Sequence, residues 1–247
     1  MNNAPMRSHA EYTLKRSAQI LKSHAAICFC LVAIWLTFPQ IDLWVSQQFF
    51  LGYQRPQPEL SGFILDKSQV LWFLYGVDAL GKVILLCSIL LFLGMLIKKH
   101  KQTFNAFVVM MCLITAPFLV VNMMFKDHWG RARPVQIEAF GGTQHFTPPW
   151  VMTNQCDHNC SFTSGHAAAG FVLSIGALVS RRKFWLPAGI ALGASFGLVR
   201  MLNGAHFLSD VIFSYFLVLL TSAGVAFIVS AIMLSFVHRA QVKHSIG

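Results

Sequence analysis

The chain has 247 residues, of which 55% are hydrophobic and 11% charged, with a mean hydropathy of +0.59. Soluble domains carry roughly 25% charged residues, so this composition excludes a water-soluble globular domain, a disordered chain and a collagen-like one, and leaves one membrane domain of several helices. The net charge of +10 does not mark a nucleic-acid partner, because Lys and Arg fall in short clusters between long apolar runs, where basic residues set membrane topology.

Residues 1–24 read as a cytoplasmic amino-terminal tail. Leu14, Ala18 and Leu21 recur there at helical spacing, turned away from Lys15, Arg16 and Lys22, which suits an interfacial amphipathic helix and a solvated tail equally. Six stretches then approach the roughly 20 apolar residues needed to cross a hydrocarbon core: 25–44, 70–97, 104–125, 164–180, 184–202 and 207–237. The first reads as a signal anchor, since no small-residue cleavage site follows it. The fourth and fifth have short apolar centres and reach the bilayer surface by including polar residues. The expected fold is therefore all-α, a polytopic membrane helix bundle of about six transmembrane helices, with the membrane domain at 25–237 and a short carboxy-terminal tail at 238–247.

With the amino terminus in the cytoplasm, the inner segments hold Arg7, Lys15, Arg16, Lys22, Lys98, Lys99, Lys101, Arg181, Arg182, Lys183, Arg239 and Lys243. These are twelve of the nineteen basic residues, against one acid, Glu11. The positive-inside rule then puts both termini in the cytoplasm and the segments 40–69, 126–163 and 200–206 on the outer side. Within the second span, Asp78 and Lys82 are spaced to neutralise each other on one helix face. Cys28, Cys30, Cys87 and Cys112 lie inside spans, where a thiol acts as a small hydrophobe. Cys156 and Cys160 lie four apart in an outer loop. A disulfide is the preferred reading in an oxidising compartment, and a zinc site completed by His145, His158 or Asp157 is the alternative.

Ionisable groups gather at one end of spans three to six. Lys126, Arg131 and Arg133 follow the third span, Ser164-Gly165-His166 opens the fourth, and Arg200, His206 and Asp210 bracket the turn into the sixth. Helix amino termini attract anions, and Ser161 or Thr163 is placed to cap this one. His206 and Asp210, at i,i+4, share a helix face, so that the carboxylate can accept from one ring nitrogen and leave the other free as nucleophile or base. Taken singly, each group has an ordinary structural reading as a basic stop, a helix start or an interface pair. Together they supply two histidines and three cations around a helix end, the equipment for moving a phosphoryl group without a metal or other cofactor.

Lys126-x6-Arg133-Pro134, Ser164-Gly165-His166 and Arg200-x5-His206-x3-Asp210 resemble the three signature motifs of the type 2 phosphatidic acid phosphatase family, related to bacterial acid phosphatases and vanadium haloperoxidases. The resemblance covers about half the chain. It implies that His206 attacks phosphorus and forms a phosphohistidine, that Asp210 orients it, and that His166 protonates the leaving oxygen and then activates water. It also implies that Lys126, Arg133, Ser164, Gly165 and Arg200 bind phosphate oxygens. Arg131 lies outside the motif and is expected either behind these ligands or on the substrate headgroup. Two positions depart from the family pattern, Thr163 in place of proline and Val199 in place of serine.

A site at the outer surface of a bacterial inner membrane suits a lipid phosphate. The segment 140–150 and the Cys156–Cys160 loop are similar to those of bacterial lipid A 1-phosphatases, which ranks lipid A first. Undecaprenyl pyrophosphate follows, then phosphatidylglycerol phosphate and phosphatidic acid. A lipid phosphotransferase would use the same residues. A silent lipid-binding module would predict the loss of His166, His206 or Asp210, and all three are present. For a sugar headgroup, Arg131, His128, His145, Gln136, Gln144 and Asn154 are the expected polar contacts.

Overall fold

The computed structural model describes residues 4–52 and 62–246. Helix α1 spans Ala4–Thr37 and a short α2 spans Ile41–Gln47. Helix α3 spans Lys67–Ile97, and α4, Thr103–Leu113, continues as a π-helix over Ile114–Lys126. Two 3-10 turns, Pro134–Gln136 and Glu138–Phe140, shape the following loop. A composite helix comes next: α5 Gly165–Phe171, a 3-10 turn Val172–Ile175, and α6 Gly176–Val179. Helices α7, Trp185–Leu202, and α8, Leu208–Ile246, complete the bundle. Among the described residues the only extended pairings are isolated bridges, Phe50 with Phe63 and Ile137 with Gln144.

The all-α polytopic bundle expected from the sequence is what forms. Among the described residues five helices are long and apolar enough to cross a membrane, and the sixth expected span appears as the shorter composite Gly165–Val179. None of the most apolar stretch of α3 is buried inside the protein, and Trp72, Tyr75, Leu90 and Ile97 stand exposed along it. That surface matches hydrocarbon, with Trp72 and Tyr75 near one end as interfacial anchors. Within the segment 1–24, the described residues are helical. From Ala4 it is the first part of α1, and its buried stripe is Ala10, Thr13, Ser17 and Ile20, in place of the Leu14, Ala18, Leu21 stripe. It lies against α8, where Arg7 donates to Gln241 (3.3 Å), and Tyr12 donates to the Ser180 carbonyl (2.9 Å).

Two local features set where the polar ends of the helices meet. Pro117 lies inside the π-helix and cannot donate to an i−4 carbonyl, so the ladder rewinds there. Asn122 Nδ2 donates to the Pro117 carbonyl within this wider segment (2.7 Å). On α7, Gly189, Gly193 and Gly197 sit four apart and face Ser174, Phe171 and Val211 so closely that a Cβ would collide with each. Small residues on a helix face let backbones approach in this way, and here they dock α7 onto the composite helix and α8. An aromatic cluster fixes the chain leading into α5: Phe162, fully buried, has ring contacts with Trp129, Trp150, Phe125 and Phe213.

Gly193→Leu forces a side chain into the Phe171 ring, so we expect destabilisation of at least about 1–3 kcal/mol, the usual range for overpacking. The check is the thermal midpoint of the purified protein in detergent, with Ala191→Leu on the exposed face as the control that should change little.

Candidate active site

Lys126 closes the π-helix, Arg133 follows it in the loop, His166 stands in the first turn of α5 and Arg200 in the last turn of α7. The fold brings all four onto one cavity of about 630 Å³, also lined by Lys67, Tyr75, Asp78, Gln136 and Asn203. Two of the cations are braced by neutral oxygens. Arg133 Nη2 donates to the Asn159 carbonyl (2.5 Å). Arg200 Nη1 donates to the Asn203 amide oxygen (3.1 Å) in the amide orientation that also returns a bond to the Arg200 carbonyl (2.8 Å). Gly165 makes room for Lys126, because a Cβ there would lie 3.2 Å from Lys126 Nζ and 2.7 Å from Asn122 Oδ1.

The Cys156–Cys160 disulfide expected from spacing is formed, with Cα atoms 5.6 Å apart. Its loop touches two phosphate-ligand candidates: Cys160 N–H donates to the Lys126 carbonyl (3.1 Å), and Asn159, inside the loop, holds Arg133.

His206 sits in the turn before α8 and is 1% exposed. Its Nδ1 lies 2.8 Å from the Ser161 carbonyl oxygen, an acceptor only, so Nδ1 carries the proton and Nε2 keeps its lone pair. Nε2 has no hydrogen-bond partner among the described residues. Burial is the main reason the imidazole pKa falls to about 3; Asp210 opposes the fall and Arg200 and Arg133 add to it. The nucleophile candidate is therefore neutral at any physiological pH.

Asp210 does not orient this ring by a direct hydrogen bond, as the i,i+4 spacing suggested. Its Oδ2 is 3.7 Å from His206 Nδ1, beyond hydrogen-bonding range. It accepts instead from Ser161 Oγ (2.5 Å), from Phe207 N–H (2.8 Å) and from Arg131 Nη1 (2.6 Å). Ser161 supplies the carbonyl that holds the ring, and Phe207 is the residue after it. Asp210 thus fixes the backbone on both sides of the histidine.

Arg131 is not a headgroup contact. Its side chain is fully enclosed and is shared between Asp210 and Asp42, the latter at 2.8 Å. Nε donates to the Thr147 carbonyl (2.9 Å), and the guanidinium carbon lies 4.3 Å from the centroid of the Phe207 ring. Asp42 also receives Ser209 N–H (2.9 Å), Ser209 Oγ (2.5 Å) and Trp35 Nε1 (3.2 Å).

Ser164 is the N-cap of α5, accepting from Ala167 N–H (3.4 Å). It takes the role assigned to Ser161 or Thr163, and its own O–H remains a donor. Asp78 does not pair with Lys82. Its Oδ1 lies 3.5 Å from His166 Nε2, while Lys82 lines a neighbouring cavity. Of the polar loop residues expected on a sugar headgroup, Gln136 lines the main cavity, whereas His145 is engaged by Glu138 (3.1 Å) and Gln155 (2.6 Å). Sequence reasoning missed Asp42, Ser209, Asn159 and Asn203. Only Asp42, an acid flanking an apolar run, carried any signal.

Residues 105–234 match the family model described as PAP2 superfamily. This chain belongs to the PAP2 superfamily. Every signature residue from Lys126 to Asp210 lies inside the matched stretch. The chain is 38% identical over 195 residues to a lipid A 4'-phosphatase of Francisella tularensis subsp. novicida, covering 76% of this chain and 85% of that one. It is 34% identical over 202 residues to a lipid A 4'-phosphatase of Rhizobium etli, with 74% and 77% covered. A lipid A 4'-phosphatase of Rhizobium leguminosarum is 32% identical over 206 residues, with 76% and 86% covered. No solved structure gives a significant match. The PAP2 signature alone does not include Asp42 or Arg131, which the structure ties to the signature carboxylate.

Arg131→Ala leaves two buried carboxylates without their cation, so we expect a loss of about 3–5 kcal/mol in stability, measured by thermal unfolding in detergent. A second expectation follows from His206. A low imidazole pKa means the reactive neutral form persists as pH falls, and is lost only near 3. The pH profile of kcat/KM should therefore show no acid limb with a midpoint near the ordinary histidine value of about 6.5 that is assignable to this residue. Direct NMR titration of His206 in isotope-labelled protein checks it.

Proposed function

We propose that this PAP2 protein removes the 4'-phosphate of lipid A at the outer face of the inner membrane, through a phosphohistidine on His206. The observation that carries the reading is the His206 ring: Nδ1 is committed to the Ser161 carbonyl, and the free Nε2 belongs to a residue beside the cavity-lining Ala205, where Lys126, Arg133, His166 and Arg200 converge. The chain is a phosphatase acting on lipid phosphate esters, as its family and relatives support. The loop sequence had favoured the 1-phosphate, but all three relatives carry the 4'-name, and the proposal follows them.

In the first step His206 Nε2 bonds to phosphorus as the ester P–O bond breaks, and His166 gives its proton to the leaving sugar oxygen. Lys126, Arg133 and Arg200 hold the equatorial oxygens, where charge concentrates in the transition state. His166 then takes a proton from water as the water oxygen attacks phosphorus, the P–N bond breaks and inorganic phosphate leaves. The outer-face placement rests on the distribution of basic residues.

The test is purified enzyme on bis-phosphorylated lipid A, with the lost phosphate located by fragment mass spectrometry. Loss from the 4'-position with release of inorganic phosphate is expected. Loss from the 1-position, or transfer to a second lipid without release, would overturn the assignment. His206→Ala should lose at least ~10³-fold in turnover, since phosphate monoesters hydrolyse very slowly unaided. Vanadate, which takes up five-coordinate geometry at Nε2, should inhibit. EDTA should leave the rate unchanged, because three cationic side chains already neutralise the phosphate, and among the described residues no three His, Cys, Asp or Glu side chains converge.

A further inference from the structure

Asp78 is an acid in a membrane-spanning helix, a costly placement that calls for a reason. It stands in α3, beside the buried Val77, on a helix whose most apolar stretch is unburied. Its carboxylate opens onto the main cavity and onto a second, apolar one beside it. Lys82 does not neutralise it. Oδ1 instead faces His166 Nε2 at 3.5 Å; the His166 side chain is 12% exposed and that of Asp78 61%. The other charged groups facing His166 are all cations: Lys126 from the π-helix, Arg133 from the loop and Arg200 from α7.

A general acid must hold a proton before it can deliver one. Three cations around an imidazole oppose the imidazolium, and a carboxylate within about 4–6 Å favours it. We propose that Asp78 is a positioning residue for His166, whose carboxylate faces the Nε2 edge and keeps a proton on that nitrogen while Nδ1 serves the substrate. Among the described residues neither ring nitrogen of His166 has a hydrogen-bond partner; Nε2 faces Asp78 at ion-pair distance, which leaves Nδ1 for the substrate. In the first step the Nδ1 proton passes to the leaving oxygen, and the neutral ring retains Nε2–H toward Asp78. In the second step Nδ1 takes a proton from the attacking water, restoring the imidazolium. The carboxylate neither gains nor loses a proton in either step. The inference deepens the lipid phosphatase reading and rests on it.

The experiment compares wild type, Asp78→Asn and Asp78→Glu in detergent, with bis-phosphorylated lipid A as substrate and thermal midpoints recorded for each. Asp78→Asn should lower kcat by about 10- to 100-fold with KM changed less than about threefold, at or below the low end of the roughly 10²–10⁴-fold a general acid itself supplies, as fits a residue acting through one. It should also move the basic limb of the pH profile down, because the imidazolium then lacks the facing carboxylate. Asp78→Glu should recover most of both. With 4-nitrophenyl phosphate, whose leaving group needs little protonation, the loss in Asp78→Asn should be at least about tenfold smaller than with the lipid.

An unchanged basic limb in a folded Asp78→Asn protein would overturn the proposal. So would a rise in KM without a fall in kcat, which would make Asp78 a substrate contact. A wild-type enzyme inactive on lipid A would overturn the substrate reading instead, and the pH profile on whichever lipid phosphate it does hydrolyse still decides the role of Asp78.

Discussion

A single guanidinium shared by two buried carboxylates holds this site together. Arg131 bridges Asp42 on α2 and Asp210 on α8, and all three side chains are fully enclosed. A buried ion group of this kind gains little stability over an apolar core, but breaking it is costly, because charges cannot be left bare in a medium of low dielectric. Its effect here is to fix geometry. The two carboxylates also gather their neighbours: Asp42 accepts from Ser209 N–H and the Trp35 indole, and Asp210 from the Ser161 hydroxyl and Phe207 N–H. Three segments far apart in sequence are thereby locked around the one turn that carries His206.

This separates two kinds of cation that look alike in the chain. Arg131 and Arg133 are two residues apart in the same loop. The first points into the protein and is consumed by carboxylates. The second lines the cavity, braced by a carbonyl from the disulfide-closed loop. A guanidinium held by a neutral carbonyl keeps its full charge for an incoming phosphate, whereas one held by two carboxylates has none to spare. Arg200 follows the pattern of Arg133, since its named partner is an uncharged amide, and Lys126 Nζ occupies the space that Gly165 leaves open.

Much of this was legible in the sequence, for identifiable reasons. Charged residues stand out in an apolar chain, and their gathering at alternate ends of successive spans predicts one site; Lys126, Arg133, His166 and Arg200 do converge on one cavity. The disulfide followed from a four-residue spacing in a polar loop. The reading failed where a contact depends on tertiary placement. Asp42 meets Arg131 across 89 residues and Ser209 across 167, and no periodicity announces either. The i,i+4 rule correctly put His206 and Asp210 side by side, but it says nothing of a carbonyl from another segment that reaches the ring first. Likewise the first residues of α1 looked like a surface helix because the stripe counted was apolar. The face actually buried mixes Thr13 and Ser17 with Ala10 and Ile20, since the neighbouring helix lies close enough to prefer small side chains.

The placement of α3 connects the chemistry to an amphiphilic substrate. The polar cavity and the apolar cavity of about 330 Å³ beside it share Asp78, Lys126 and His166 along their common wall. The apolar one runs between α3 and the π-helix, past Val77, Gly81, Leu113 and Phe118. A soluble phosphate ester would need only the first. A lipid needs its charged group at the cations and its chains in an apolar setting at the same moment, and a boundary wall bearing Lys126 and His166 is where those two demands meet. The helix forming one side of that wall is also the least buried of the spans, so the apolar cavity is flanked by a surface that matches the bilayer.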